Sequence, residues 1–497
     1  MISPLSPRSA PSATSDLSSL LARAELGPLS RRDLLHRCGL GLGAFALSYL
    51  AGESTGRASS RPHLDLRPRA PQSRAPARAM IMLMQTGGPS NMDLFDRKPE
   101  LERRNGEAHG GNFETFQQGN TNKLLGSVYP FRRYGNCGME LSELLPEIGG
   151  VADEICLVRS MVSDNNNHTE AIIQFASGKI LPGRPTLGAW IAYGLGSENQ
   201  NLPAFVVLRD PEGFPTSGKL MYQPGWLSPI FGGTEFNPKG TPVQNLSPAV
   251  PVPAAVQRRN LEFLAQLNRR HQNRNPNEAE LDARIRNYEL AARMQLEAVD
   301  VADLSRESAA TRQLYGLDSS NPARAGYARR LLMARRLVEA GVRFVLVFAP
   351  VRDANWDHHG DVKGGLAKAC AATDAPSAAL IRDLRARGLL DSTVVLWGGE
   401  FGRLPITQGQ GGRDHNRHAG AVWLAGGGFK RGFVYGHTDE LGYQVTSQKM
   451  GVSDVHATVL WQMGLDHRRL AFQHLGRDET LTDADITSAT VTTDLIN

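Results

Sequence analysis

The sequence predicts an α/β protein built on one mainly parallel sheet, with helices between its strands and a helical insertion. Six short apolar runs, bounded by Gly, Pro and Asp, recur along the chain: Ala79–Met84, Ile155–Val158, Ala204–Leu208, Val342–Ala349, Thr393–Trp397 and Ala421–Ala425. Runs of this length without polar alternation suit strands buried on both faces. Helical spacing fills the intervals, and the helices stop at glycine. Finally, 497 residues with 41% hydrophobic content are enough to bury a large core, as one big domain or two ordinary ones.

In chain order, Ser30-Arg31-Arg32-Asp33-Leu34-Leu35 precedes the uncharged apolar stretch from Cys38 to Ala51. Paired arginines before a short apolar run predict a twin-arginine signal segment over residues 1–52, with the export machinery as partner and a periplasmic or extracellular destination. The run is too short to span a bilayer comfortably, so the mature protein is expected to lack a transmembrane span. N-terminal anchoring follows if the signal is not cleaved. Residues 53–78, rich in Arg, Pro and Ser, are expected to be a disordered linker.

The first 78 residues hold 11 Arg, no Lys and 5 acids, a balance of +6 against +5 for the whole chain. Residues 79–497 therefore come to about −1. The basicity belongs to the leader, and no nucleic-acid partner is expected. Of four cysteines, Cys38 lies in the leader. Cys137, Cys156 and Cys370 show no CxxC spacing, and a Cys137–Cys156 bridge stays open as an alternative to free thiols.

Residues 79–497 form the expected folded domain. Ala325 to Ala340 places Ala328, Leu331, Leu332, Arg335 and Val338 at helical spacing and ends at Gly341. Ala371 to Arg387 ends likewise at Gly388. Residues 212–320 break this alternation and read as an inserted, partly helical cap, with a narrow apolar stripe of Leu281, Ile285, Tyr288 and Ala292.

Ligands of parallel α/β sheets bind beyond the carboxyl ends of the strands. After the first run come Gln85 to Asp93, and after the second Ser163 to Thr169, including Asn167 and His168. Asp353 to Asp361, with Asp357 and His359, follow the fourth run, and Gly398 to Arg403, with Glu400, follow the fifth. Gly412 to His418, with Arg413, Asp414 and His415, precede the sixth. Singly, each residue has an ordinary explanation as a cap, loop or core group. Jointly, clusters beside successive strands favour a site. Carboxylates and neutral imidazoles are the usual ligands of zinc, manganese or iron, and carboxylates also serve magnesium and calcium. An arginine such as Arg403 or Arg413 would hold a phosphate or sulfate group bidentately.

These clusters resemble the family called domain of unknown function 1501. The motifs are Gln85-Thr86-Gly87-Gly88-Pro89-Ser90 with Asp93 and Asp96, Arg159-Ser160-Met161 with Asn167-His168, and Trp356-Asp357-His358-His359. Further on come Gly399-Glu400-Phe401-Gly402-Arg403, Gly412-Arg413-Asp414-His415, Ala425-Gly426-Gly427-Gly428 and Val455-His456-Ala457-Thr458. The resemblance covers nearly everything after the linker. It implies an alkaline phosphatase-like or sulfatase-like three-layer α/β/α sandwich with divalent metal at the carboxyl edge. The implied metal ligands are Asp357, His359, Glu400, Asp414 and His415. Thr169, His168 and Arg413 would serve catalysis, and Gln85, Asn167 and Arg403 would bind substrate.

Two features depart from that superfamily: Gln85 stands where an Asp ligand is usual, and no signature Ser or Cys is present. The fold therefore transfers better than the reaction does. The expected function is an exported, metal-dependent hydrolase of phosphate or sulfate esters, its substrate a small anionic or polysaccharide ester. The alternative is a non-catalytic ligand-binding or cell-envelope protein that keeps the fold.

Overall fold

The computed structural model describes residues 65–497, except 245, 247–251, 276–278 and 353. The expected signal segment lies outside the described residues. Each apolar run is a strand. β1 (Ala79–Met84), β2 (Ile155–Val162), β3 (Phe205–Leu208), β4 (Thr234–Glu235), β5 (Phe344–Phe348), β6 (Thr393–Gly398), β7 (Gly420–Ala425), β8 (Phe433–Tyr435) and β9 (Met450–Gly451) form a nine-stranded sheet. The order is β8-β2-β7-β6-β1-β5-β3-β4, and β9 also pairs with β2.

β1 runs parallel to β5 and β6, β3 to β4 and β5, and β2 to β8 and β9. In this sheet β7 alone is reversed, antiparallel to both β2 and β6. Every residue of β1, β5, β6 and β7 is buried. Both faces are therefore covered, which is why these strands read as unbroken apolar runs.

The helices are α1 (His168–Ser177), α2 (Leu187–Leu195), α3 (Ala254–Arg274), α4 (Ala279–Ala302), α5 (Pro322–Glu339), α6 (Val362–Ala386) and α7 (Val452–Gln462), with shorter turns between them. α5 starts three residues before the expected Ala325, because Asn321 caps it by accepting from Ala323 N and Arg324 N, with Pro322 at the first position. α6 starts earlier than the expected Ala371, where Asp361 accepts from Gly364 N. α2 lies close to the sheet at Gly188, where an added Cβ would fall 2.7 Å from the rings of Phe205 and Phe344.

The insertion is partly helical, as the sequence suggested, but it also donates β4 to the sheet. The apolar stripe is corrected in part: Ile285 is buried and Leu281 and Ala292 are half-buried, but Tyr288 is 70% exposed, and α4 turns Leu290, Met294, Ala298 and Val301 into the core. The linker reading is also corrected over residues 65–78. Leu66 and Ala77 are buried, Ser197 N donates to Leu66 O, and Arg69 N donates to Leu195 O. Those backbone bonds fix a segment whose composition alone predicts none. Cys137, Cys156 and Cys370 are free thiols. Among the described residues no helix is long and apolar enough to cross a membrane.

α7 holds α1 in place: the buried His456 bonds through Nε2 to Phe175 O at 3.0 Å. Burial pushes this imidazole down to about 4, against a small opposing effect of that bond. A histidine kept neutral in the folded state stabilises fully above its unfolded value. The stability is then lost as pH falls toward the folded value. Between pH 6.5 and 5 this amounts to about 2 kcal/mol. Urea unfolding at the two pH values should therefore show a smaller fall for His456→Gln than for the parent chain; equal falls would remove His456 from the linkage.

The topology brings the polar clusters together. β1, β2, β5 and β6 all end at one edge of the sheet. Because β7 is reversed, the segment before it arrives at that same edge.

Candidate metal centre

Four side chains from three of these segments converge: His168 at the start of α1, Asp357 and His359 after β5, and His415 before β7. One donor atom from each lies within 4.8 Å of the others. Asp357 Oδ1 is the hub. It stands 2.8 Å from His359 Nε2, 3.3 Å from His168 Nε2 and 3.5 Å from His415 Nε2. The Nε2 atoms of His359 and His415 are 3.0 Å apart.

Each imidazole is fixed from behind. His168 Nδ1 bonds to Glu400 Oε1 at 2.6 Å, His359 Nδ1 to Gln408 Oε1 at 2.5 Å, and His415 Nδ1 to Asn166 O at 2.7 Å. Those three partners accept, so each Nδ1 carries a proton; in a neutral ring Nε2 then presents a lone pair, and on His168 an ion would replace a second proton. Two lone pairs facing each other at 3.0 Å repel unless a cation or proton lies between them. His168 Nε2 is buried and makes no hydrogen bond, although it faces the carboxylate. Outer acceptors that set the tautomer of inward-facing imidazoles are the usual second layer of a metal site.

The backbone permits this because of the two glycines after β1. Gly87 has φ +112°, and a Cβ there would fall 2.7 Å from Asp357 N; its own N–H donates to Glu400 Oε1 at 2.8 Å. Asn167 accepts from Thr169 N as the cap of α1 and thereby places His168 on the first turn. A ring also covers the cluster: Phe116 stacks on His415 with centroids 4.8 Å apart.

The electrostatics centre on Asp357. Burial alone would raise its carboxyl, but His168, His359, His415 and Arg403 hold it well below the usual carboxylate range. Burial opposes a charge on His168, yet Asp357 and Glu400 outweigh it and hold the ring up at about 9. An ion would compete with that proton. His415 goes the other way, pushed down to about 4 first by burial and then by Arg403 and His168, against Asp357.

The structure brings Asp357, His359 and His415 together as expected and adds His168 to them. The other expected residues stand elsewhere. Glu400 is not among the converging donors: it lies behind His168 as its acceptor, fully buried. Asp414 is spent on its surroundings, taking Phe116 N, Gln117 N and Asn120 Nδ2 on one oxygen and His415 N on the other.

Arg413, expected in catalysis, is fully buried in a two-bond pair with Asp93, at 2.7 and 3.1 Å. Arg403, expected to bind substrate, has its guanidinium committed to Asp357 Oδ1 and to the carbonyls of Gly87, Gly88, Trp356 and Arg413. Gln85 is buried between Trp356 Nε1, Tyr327 OH and Leu83 O. Asn167 serves as a cap. Thr169, the expected nucleophile, is exposed, and only its backbone takes part in hydrogen bonds. Gln408, Asn166 O and Phe116 were missed: Gln408 ends a three-residue strand, Ile406–Gln408, and the other two lie in loops, with no periodicity or motif to mark them.

Glu400→Gln keeps the shape behind His168 but loses its charge. It should lower metal affinity by roughly 10–100-fold with the fold retained, as read by competition with a chromophoric chelator. Unchanged affinity would take His168 out of the ligand set.

Residues 77–496 match the family model described as protein of unknown function, DUF1501. No curated protein matches in sequence. Among solved structures the chain is similar to the PsFucS1 sulfatase from Pseudoalteromonas sp., at 12% identity and TM-score 0.33, over 78% of this chain and 68% of that one. It is similar to the lipoteichoic acid synthase LtaP from Listeria monocytogenes, at 9% and 0.36, over 85% and 79%. It is also similar to a protein in the alkaline phosphatase superfamily from Vibrio parahaemolyticus, at 10% and 0.35, over 83% and 73%. All three superpositions are loose.

Proposed function

This chain belongs to the DUF1501 family, and from that premise we propose that it is an exported, metal-dependent hydrolase of phosphate or sulfate esters, with one ion held by His168, Asp357, His359 and His415. The observation that carries the metal reading is the three imidazoles whose Nδ1 partners turn their Nε2 atoms toward one carboxylate oxygen. The ester class comes from the resemblance of the sequence motifs to the phosphatase and sulfatase superfamily.

The residues fit an ion. Tetrahedral zinc with bonds of 2.0–2.1 Å has donor–donor edges of about 3.3 Å. Separations of 2.8 to 3.5 Å about Asp357 Oδ1 bracket that value. Three nitrogens and one oxygen favour zinc, iron or manganese over magnesium or calcium, which take oxygen. The residues that would furnish a second ion are spent: Asp414 on backbone amides, Glu400 on His168, and Asp93 on Arg413.

When bound, a divalent ion would supply Lewis-acid polarisation of an ester oxygen only by taking it as a fifth ligand, since four side chains already fill a tetrahedron. The chain does the rest. Glu400, Gln408 and Asn166 O fix the imidazoles, Arg403 fixes Asp357, and Phe116 shields His415 from water.

A second reading, a metal-binding protein without turnover, is favoured by one observation. Among the described residues no hydroxyl or thiol side chain is hydrogen-bonded to the cluster: Thr169 faces solvent and Ser163 bonds to Gln174. Aryl phosphate and aryl sulfate assays on the zinc-, manganese- and iron-loaded protein separate the two. Turnover abolished by chelation and restored by metal supports the hydrolase. Tight metal binding without turnover supports the second reading, and no metal binding contradicts both.

A further inference from the structure

Arginines in this protein are mostly paired, as Arg330 with Asp210, Arg335 with Asp383 and Arg413 with Asp93. α3 gathers the densest group of arginines outside such pairs, and Arg284, Arg286 and Arg293 of α4 are likewise in no ion pair among the described residues. α3 carries Arg258, Arg259, Arg269, Arg270 and Arg274 against the single acid Glu262, a net +4 on one helix. Among the described residues none of the five is in an ion pair, and Arg259 Nε reaches only Ala255 O of its own helix, at 3.4 Å.

The same helix exposes apolar side chains: Val256, Leu261, Phe263, Leu264 and Leu267 are all solvent-facing, with Phe263 61% exposed. At 100° per residue, Val256, Phe263, Leu264 and Leu267 share one outward sector, with Arg259 and Arg270 along its margin and Arg274 at its end. The adjoining sector meets α4, where Gln257 bonds to Gln295 and Gln272 to Asp282, and Leu264 stands at the boundary between the two. Tyr288 of α4, on the groove beside Leu261 and Leu264, extends the apolar surface.

We propose that α3, with Tyr288, docks the protein on an anionic lipid surface. The arginines meet headgroup phosphates while Phe263, Leu264 and Leu267 enter the boundary with the acyl chains. Charge selects this occupant. A second copy packed helix to helix would bring another +4, and the first 78 residues carry +6, so both are repelled. An acidic protein would satisfy the arginines, but Val256, Phe263 and Leu267 form a convex ridge outside the α3–α4 groove. A lipid surface accepts a ridge without a matching groove.

Amide hydrogen exchange of the full chain, read over residues 254–274, tests this locally, so that any binding through the leader does not register. Phosphatidylglycerol vesicles at low salt should protect α3, and phosphatidylcholine vesicles or high salt should not. Arg259→Glu with Arg270→Glu, and separately Phe263→Ser, should raise the lipid concentration needed for protection at least tenfold. Zinc content should stay that of the parent chain, showing that the fold is kept. Three outcomes overturn the proposal: no protection of α3, equal protection by phosphatidylcholine, or equal protection in the charge variant. So do protection that rises with protein concentration alone, marking a second copy, and protection by polyglutamate equal to that by the vesicles, marking an acidic protein.

Discussion

Replacing Asp357 by Ala should abolish metal binding and loosen the fold at the same time. Oδ1 is the atom on which the three Nε2 atoms converge, so its loss removes the only anionic donor of the set. Loss of an outer-layer partner costs about 10–100-fold in affinity, and loss of a charged ligand should cost roughly a thousandfold or more. The second effect acts without metal. Arg403 is buried, and among the described residues Asp357 is its one carboxylate partner; its other acceptors are carbonyls. Leaving a buried guanidinium without its counter-ion costs about 3 kcal/mol or more. Zinc titration against a chelator measures the first effect, and denaturant unfolding in EDTA the second. Parent-like zinc affinity would remove Asp357 from the ligands.

Arg413→Met should produce the largest loss of stability, about 3–5 kcal/mol. Both partners of the Arg413–Asp93 pair are fully buried, and Arg413 also bonds to Leu404 O and Gly126 O. Removing the arginine leaves Asp93 with only Ser90 Oγ and Val128 N. Adding Asp93→Leu should recover part of the loss, because a buried pair replaced whole by apolar groups is often neutral. If Arg413 instead touched substrate, Arg413→Met would unfold like the parent chain while losing turnover. Denaturant midpoints of the single and double variants decide between these.

Much of the fold was legible because burial on both faces makes strands such as β1 and β6 read as apolar runs. The short strands were not. β4, β8 and β9, of two or three residues, carry too few side chains to form a pattern. The α4 stripe was only partly right for a related reason. Leu281, Ile285, Tyr288 and Ala292 are helically spaced, but so are Leu290, Met294, Ala298 and Val301, and tertiary contact buries the second set and Ile285 while leaving Tyr288 exposed.

The location of the site was legible through strand ends, and Asp357, His359 and His415 followed from it. The roles of their neighbours did not. Asp414 and His415 are adjacent in one loop, and the sequence does not say which turns inward; three amide donors claim Asp414 and leave His415 to the cluster. Charge misled at Arg403 and Arg413, since a buried arginine reads the same as a substrate-binding one until its acceptors are known. Glu400 was placed correctly at the end of β6, one layer behind the position expected of it.

X-ray absorption of the zinc-loaded protein tests the central claim most directly. A single ion held by His168, Asp357, His359 and His415 should give a first shell of three imidazole nitrogens and one oxygen at about 2.0–2.1 Å, with imidazole outer-shell scattering and no metal–metal vector. A shell of oxygens alone, or a second metal within about 4 Å, would contradict it.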